Sequence, residues 1–308
     1  MKILLINPTG QDYLTCMIIH GLVTLGYDVT EYNYTYFMRE QYRDKFDIWK
    51  LYGNGFSYAF TLHDIDKNIT KEEIEAKVAE HYYDIVIYTY IQADKSLLDL
   101  VIEKYKLGEI FIIDGIDHAV YDDIINKNYN NILYFKRELL CNNSLFGMNC
   151  RVFPISYAIP KEKFQPKKYY KTNFCVNNCS NGVGYTGIKT KYTFDNEQEY
   201  YNQYNNSAFA LTCRKGGYDC MRHYEIIACH CLPVFIDYDN WPRTVMTTWP
   251  TDLQYQANSL YIEHKYNDVS FNEDYQVAKY YKLLDRFYDY AYTHMTTENL
   301  ANYLLSFC

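Results

Sequence analysis

Residues 215–226 read KGGYDCMRHYEI, and the run IACHCLPVFIDYD follows at once. Several side chains there could do chemistry together. Arg214 and Lys215 are cations, and Gly216 and Gly217 let the backbone approach a ligand closely. Arg222 and Glu225, three apart, share one face of a helix that begins near Asp219 or Cys220. The start of a helix presents free N–H groups and the positive end of its dipole to an anion. Arg222 can make a forked contact to phosphate. Glu225, one turn in, can accept both hydroxyls of a ribose. Cation, glycine turn, helix start and carboxylate converge on a nucleoside diphosphate. The plainer alternative is a turn, with Asp219 capping the helix and Arg222 and Glu225 forming a surface pair.

A second set of residues offers acid–base chemistry. Asp12 follows the first apolar run in PTGQDY, and Asp114, Asp117 and His118 follow another in IIDGIDH. Asp12 or Asp117 is the preferred general base, a group that takes a proton from an attacking hydroxyl. The alternatives are a helix cap for Asp12 and Asx-turn roles for Asp114 and Asp117 beside Gly115. Lys136 and Arg137 in YFKREL either face phosphates or form a solvated pair with Glu138.

Other patterns carry less. GVGYTG at 182–187 matches G-x-G-x-x-G but precedes an alternating, strand-like run, so it is no dinucleotide fingerprint. Asp64-Ile65-Asp66 and Asp237-Tyr238-Asp239 fit a D-x-D metal motif literally; the first lies in the polar excursion, and the second follows the LPVFI strand, where it could line the pocket, yet metal-free chemistry is the expectation. Cys175/Cys179 and Cys229-His230-Cys231 lack the paired C-x-x-C spacing of structural zinc and read as buried thiols. No P-loop, H-E-x-x-H or G-x-S-x-G run occurs.

These residues need strands that end in loops. KILLIN at 2–7 is a buried strand, 15–26 a helix ending at Gly26, and YDVTEYNY a second strand: a βαβ opening. Residues 36–64 read as a helix-and-loop excursion. Helices at 71–83, 96–105 and 122–129 alternate with strands at 84–90, 108–118 and 131–139. Residues 151–160, with two prolines, read as an extended linker. The pattern then restarts with strands at 173–179, 191–195, 208–213 and 232–239. Helices fall at 196–207 and 221–231, and two more close the chain at 275–295 and 296–307. The expected fold is α/β, with two Rossmann-like doubly wound domains facing across a cleft. The expected division is a first domain at 1–155, a second at 156–275, and closing helices at 276–308.

The chain has 308 residues, a net charge of -8, 37 tyrosines and 10 cysteines. The acidic balance argues against a general nucleic-acid binder, which needs excess Lys and Arg. Without an apparent leader or a membrane-length apolar run, the expectation is a cytoplasmic protein with reduced thiols.

FALTCRKGGYDCMRHYEIIACHCLPVFIDYD resembles the donor-binding segment of the GT-B glycosyltransferases. It is most similar to their exostosin-like branch: a Phe-rich strand, a Gly turn, an Arg-x-x-Glu helix and a C-x-P-V strand, in that order. The opening KILLIN…HGLVTLGYDV and the ending THMTTENLANYLLSF also resemble that fold's acceptor domain and crossing helices. The resemblance implies transfer of a sugar from a UDP- or GDP-sugar to an acceptor hydroxyl, with no cofactor and no obligatory metal. It implies that Glu225 holds the donor ribose. The acceptor is expected to be a glycan or glycoprotein, with a DNA base or a non-catalytic nucleotide-sugar binder as alternatives. The E-x7-E pattern of retaining members meets Gly217 at its first position, which points to inversion. The family often has Gly where His230 stands, and the expectation for His230 is a structural role.

Overall fold

The computed structural model describes residues 1–63, 69–127, 129–140, 151–177, 194–236, 238–266 and 274–308. The elements run β1 (Lys2–Ile6), α1 (Tyr13–Thr24), β2 (Asp28–Glu31), α2 (Lys71–Ala79), β3 (Ile85–Tyr88), α3 (Leu98–Lys104), β4 (Ile110–Asp114), β5 (Ile132–Lys136) and β6 (Arg151–Pro154). They continue β7 (Asn173–Asn177), α4 (Glu197–Asn205), β8 (Ser207–Thr212), α5 (Met221–Ala228), β9 (Leu232–Phe235), α6 (Thr251–Tyr266), α7 (Asp274–His294) and α8 (Thr297–Leu305). Two compact units result. The first is Met1–Tyr157 with Pro242–Thr247 and Thr297–Cys308; the second is Ala158–Trp241 with Thr248–Thr296.

In the first unit six parallel strands lie in the order β2-β1-β3-β4-β5-β6. The strands are apolar throughout because both faces are covered. Leu4, Val86, Ile112 and Tyr134 pack on one side with Ile74 of α2 and Val101 of α3. On the other side Phe135 meets Tyr303 of α8 and Phe307 just beyond it. There α8 also approaches α1 closely: a Cβ on Gly21 would collide with the Thr297 carbonyl, and His20 Nδ1 bonds the Thr297 hydroxyl at 2.8 Å. β2 lies on one flank of β1 and β3 on the other. The strand order therefore reverses between β1 and β3, and ligands of such sheets bind beyond the carboxyl ends at that point.

The second unit has a three-stranded parallel sheet, β7-β8-β9. Tyr201 and Tyr204 of α4 pack with Ile226 of α5 against Ala210, while Tyr280 of α7 packs on Phe209. The expected α/β class with two Rossmann-like parallel units is what the chain forms.

Four sequence expectations differ from this fold. Residues 151–160 are not all linker, since Arg151–Pro154 pairs with β5 as the sixth strand. A proline is tolerated there because it ends an edge strand, where no neighbour needs its N–H. Residues 36–63 hold short 3-10 turns and no α-helix. Helix α6 was not expected at all. Phe194 and Asp195 are not in a strand. Residues 191–193, the GVGYTG run, Cys179, Asp64, Asp66 and Asp237 lie outside the described residues. Among the described residues no helix is long and apolar enough to cross a membrane.

Candidate functional site

β8 is the central strand of its sheet, and residues 213–220 carry the chain from its carboxyl end into α5. Cys220 is the N-cap of α5; it has extended backbone and makes no side-chain cap bond, and the first turn holds no carboxylate. Asp219 is buried just before it without being the cap. The positive end of the helix is therefore not met by an acidic side chain of that turn.

The turn is pinned from beneath by His223, a residue the sequence reading passed over. Its Nε2–H donates to the Tyr218 carbonyl at 3.0 Å, and its Nδ1 accepts from the Thr212 hydroxyl at 2.8 Å. Full burial pushes this imidazole down to about 3, so it stays neutral. One ring thereby ties the end of β8, the turn and the first turn of α5 together.

Lys215, Arg222 and Glu225 are brought close enough to act on one another. Lys215 is exposed in area, yet the protein around its ammonium and the Arg222 guanidinium beside it pull it below the usual lysine range, with Glu225 opposing. Glu225 is only 5% exposed, and the Tyr200 hydroxyl donates to its Oε2 at 2.6 Å. Burial, followed by the Glu225 charge, holds the Tyr200 phenol well above its ordinary range. Tyr200 belongs to α4 and was not anticipated, because it meets Glu225 only after the chain has crossed β8. Gly216 and Gly217 lie in the bend between, where the Lys215 N–H donates to the Gly217 carbonyl at 3.2 Å. Arg214 is exposed and lies over the Tyr218 ring, 4.6 Å from its centre.

His230 sits just past α5 with φ 51°, in the left-handed region where glycine is at ease. The side chain compensates with two bonds. Its Nδ1 accepts the Lys168 N–H at 2.9 Å, and its Nε2–H donates to Asp285 Oδ1 of α7 at 3.1 Å. Burial lowers it to about 4. It clamps the α5–β9 turn to α7, a structural role. Cys229 and Cys231 beside it are buried thiols, held above the ordinary thiol range by burial.

The first unit gathers acid–base groups at the carboxyl ends of β1, β3, β4 and β5. Asp12 is the N-cap of α1, its Oδ2 accepting the Thr15 N–H at 2.7 Å. The Thr15 hydroxyl in turn bonds Thr89 at the end of β3, 3.0 Å away. Burial raises the Asp12 carboxyl; the Thr15 bonds and the Arg137 charge oppose this, and Asp117 adds to it. Asp117 is half exposed and ion-paired with Arg137. Arg137 is 1% exposed and also donates to the Gly115 carbonyl and to Glu138, with Tyr157 against its face. Asp12 and Asp117 thus lie around one guanidinium. The Tyr90 phenol joins them; burial raises it first, then the Asp12 and Asp117 charges.

The remaining candidates are committed elsewhere. Asp114 is fully buried, accepting from Lys136 at 2.8 Å and from the Tyr134 hydroxyl, and it caps the turn at Ile116. His118 is exposed. The pair with Glu138 forms through Arg137 at 3.0 Å, but it is buried and not solvated, and Lys136 is paired with Asp114 instead. Among the described residues no group of three or more His, Cys, Asp or Glu could hold a metal ion.

No family model matches the chain, and no curated protein does. Solved structures do. An alpha-glucosyltransferase in complex with UDP-glucose and DNA containing an abasic site is 12% identical, with 99% of this chain and 98% of that one covered at a TM-score of 0.45. A GtfA/B complex is 8% identical, with 79% and 61% covered at a TM-score of 0.38.

Proposed function

We propose that the protein is a GT-B-type glycosyltransferase that moves a sugar from a nucleoside-diphosphate sugar to an acceptor hydroxyl with inversion. The observation that carries this reading is the assembly of Lys215, Arg222 and Glu225 at the carboxyl end of β8, over the side-chain-uncapped start of α5. Lys215, Arg222 and the helix N–H groups take the diphosphate. Glu225, steadied by Tyr200, takes the ribose hydroxyls. Gly216 and Gly217 let the backbone close on the phosphates, and Arg214 and Asp219 flank them.

The first unit holds the acceptor. Its hydroxyl oxygen attacks the anomeric carbon, and its proton passes to the Asp12 carboxylate. The bond from that carbon to the diphosphate oxygen breaks, and the electron pair leaves on the diphosphate. Lys215 and Arg222 meet the charge that develops there. The raised affinity of Asp12 for a proton suits a base, and Asp117 holds Arg137 and the loop beside it. Because side-chain cations meet the leaving group, transfer needs no metal ion. Hydrolysis and transfer assays with UDP- and GDP-sugars test this. One donor is expected to be consumed, at a rate unchanged by EDTA. Consumption of none, or loss of the rate in EDTA, contradicts it.

A further inference from the structure

Residues 34–63 leave the first sheet after β2, and they are built at a conformational cost. Gly53, Asn54, Gly55, Ser57 and Phe60 all have positive φ, from 54° to 74°. Ser57 and Phe60 carry side chains that disfavour this region, and Phe60 is bulky. What holds them there is a buried seat. Asn54, Ser57 and Tyr58 are nearly inaccessible. A Cβ on Gly53 would collide with the Tyr13 hydroxyl, and the Tyr13 ring packs edge-on against Tyr52 at 5.9 Å and tilted against Tyr58 at 6.1 Å. Tyr13 is the residue after Asp12.

On this seat the chain displays aromatic rings it does not bury. Trp49 is 55% exposed and Tyr52 60%. They stand on successive 3-10 turns, Ile48–Lys50 and Tyr52–Gly55. Large exposed aromatics on a fixed frame mark a binding surface. The charges around them are balanced: between 40 and 52, Arg43, Lys45 and Lys50 are matched by Glu40, Asp44 and Asp47. A polyanion would need a surplus of cations. A neutral, hydroxyl-rich ring suits this surface, with its C–H face on the aromatic rings and its hydroxyls toward Asp47 and Lys50.

We propose that Trp49 and Tyr52 form a stacking platform that takes a sugar ring of the acceptor beside Asp12. The acceptor role rests on the transferase reading above; the sugar site itself does not. The test is capture on a printed glycan array that also carries immobilised single-stranded and duplex oligodeoxynucleotides. Wild type, Trp49→Ala and Tyr52→Ala are compared, with UDP and GDP affinity measured on each by calorimetry. The expected result is capture on a related set of glycans, weakened about tenfold or more in either variant while UDP and GDP affinity is unchanged. Circular dichroism checks that both surface variants fold. Capture of the wild type by no glycan overturns the proposal, as does equal capture of the variants or preference for the oligonucleotides. Glycan capture by a protein that binds neither UDP nor GDP would support the platform and overturn the transferase reading, so the two failures are distinguishable.

Discussion

At the residue scale, Asp12 has two jobs that one substitution can separate. It caps α1 and, in the proposed reaction, accepts a proton. Asn caps a helix about as well as Asp but cannot act as the base. Asp12→Asn is therefore expected to keep the melting temperature and lower transfer about 10²- to 10⁴-fold. Asp12→Ala should lose transfer and about 1 kcal/mol of stability as well. Equal activity of wild type and Asp12→Asn would remove Asp12 as the base.

His230 gives a pH prediction. Its folded value of about 4 lies below the unfolded value of about 6.5. The unfolded chain thus binds the extra proton first as pH falls. The stability His230 contributes is complete above pH 6.5 and is lost as pH drops toward 4. Two and a half pH units at about 1.4 kcal/mol each make this about 3 kcal/mol. His223, lowered to about 3, acts in the same direction. Urea titrations between pH 7 and 4 should show the loss. His230→Asn, which tolerates left-handed backbone, should flatten the slope by about 1.4 kcal/mol per pH unit. An unchanged slope contradicts the assignment.

At the element scale, the contact between α1 and α8 depends on Gly21. Gly21→Ala would drive a methyl group into the Thr297 backbone, which cannot rotate away. The expected cost is about 1–3 kcal/mol, read as a lower denaturation midpoint at constant m-value. An unaltered midpoint would mean the two helices are not packed as described. Elements with apolar runs were legible: β1, β3, β4 and β5 announce themselves as strands buried on both faces. Helix α6 was not, and its contacts explain why. β9 is an edge strand, and α6 turns polar side chains onto it. Asn258 Nδ2 donates to the Phe235 carbonyl at 3.0 Å, Asn258 Oδ1 accepts the Phe235 N–H at 3.1 Å, and Gln254 Nε2 donates to the Pro233 carbonyl at 2.8 Å. A helix whose buried face carries amides has no clean apolar stripe to read. The candidate site was half legible for a similar reason. Lys215, Arg222 and Glu225 sit within one turn and helix, where spacing implies proximity. Tyr200 and His223 act through contacts that exist only once β8 and α4 are packed.

At the scale of the whole molecule, the units are not consecutive stretches of chain. Residues 242–247 and 297–308 return to the first unit after the second has been built, and α7 stays with the second while α8 joins the first. The sequence groups 276–308 as one pair of closing helices, since nothing in two successive amphipathic helices says which body each covers. A fragment of residues 1–157 would leave the α1 face and Phe135 without α8. It is expected to melt without cooperativity, and joining 297–308 to it by a flexible linker should restore a sigmoidal transition by circular dichroism. A cooperative melt of 1–157 alone would contradict this division.

The central claim is that the turn after β8 binds a nucleoside diphosphate, and calorimetry tests it most directly. UDP, GDP, ADP and CMP are titrated into wild type, Lys215→Ala and Glu225→Ala, with thermal melts alongside. Lys215→Ala removes an exposed cation and should leave the melting temperature unchanged. Glu225→Ala strands the Tyr200 hydroxyl and should lower it. One diphosphate is expected to bind the wild type, with affinity reduced about tenfold or more in each variant, as the loss of a charge-assisted contact requires. Binding of no nucleotide, or equal binding by wild type and both variants, would make residues 213–225 a turn and a helix and nothing more.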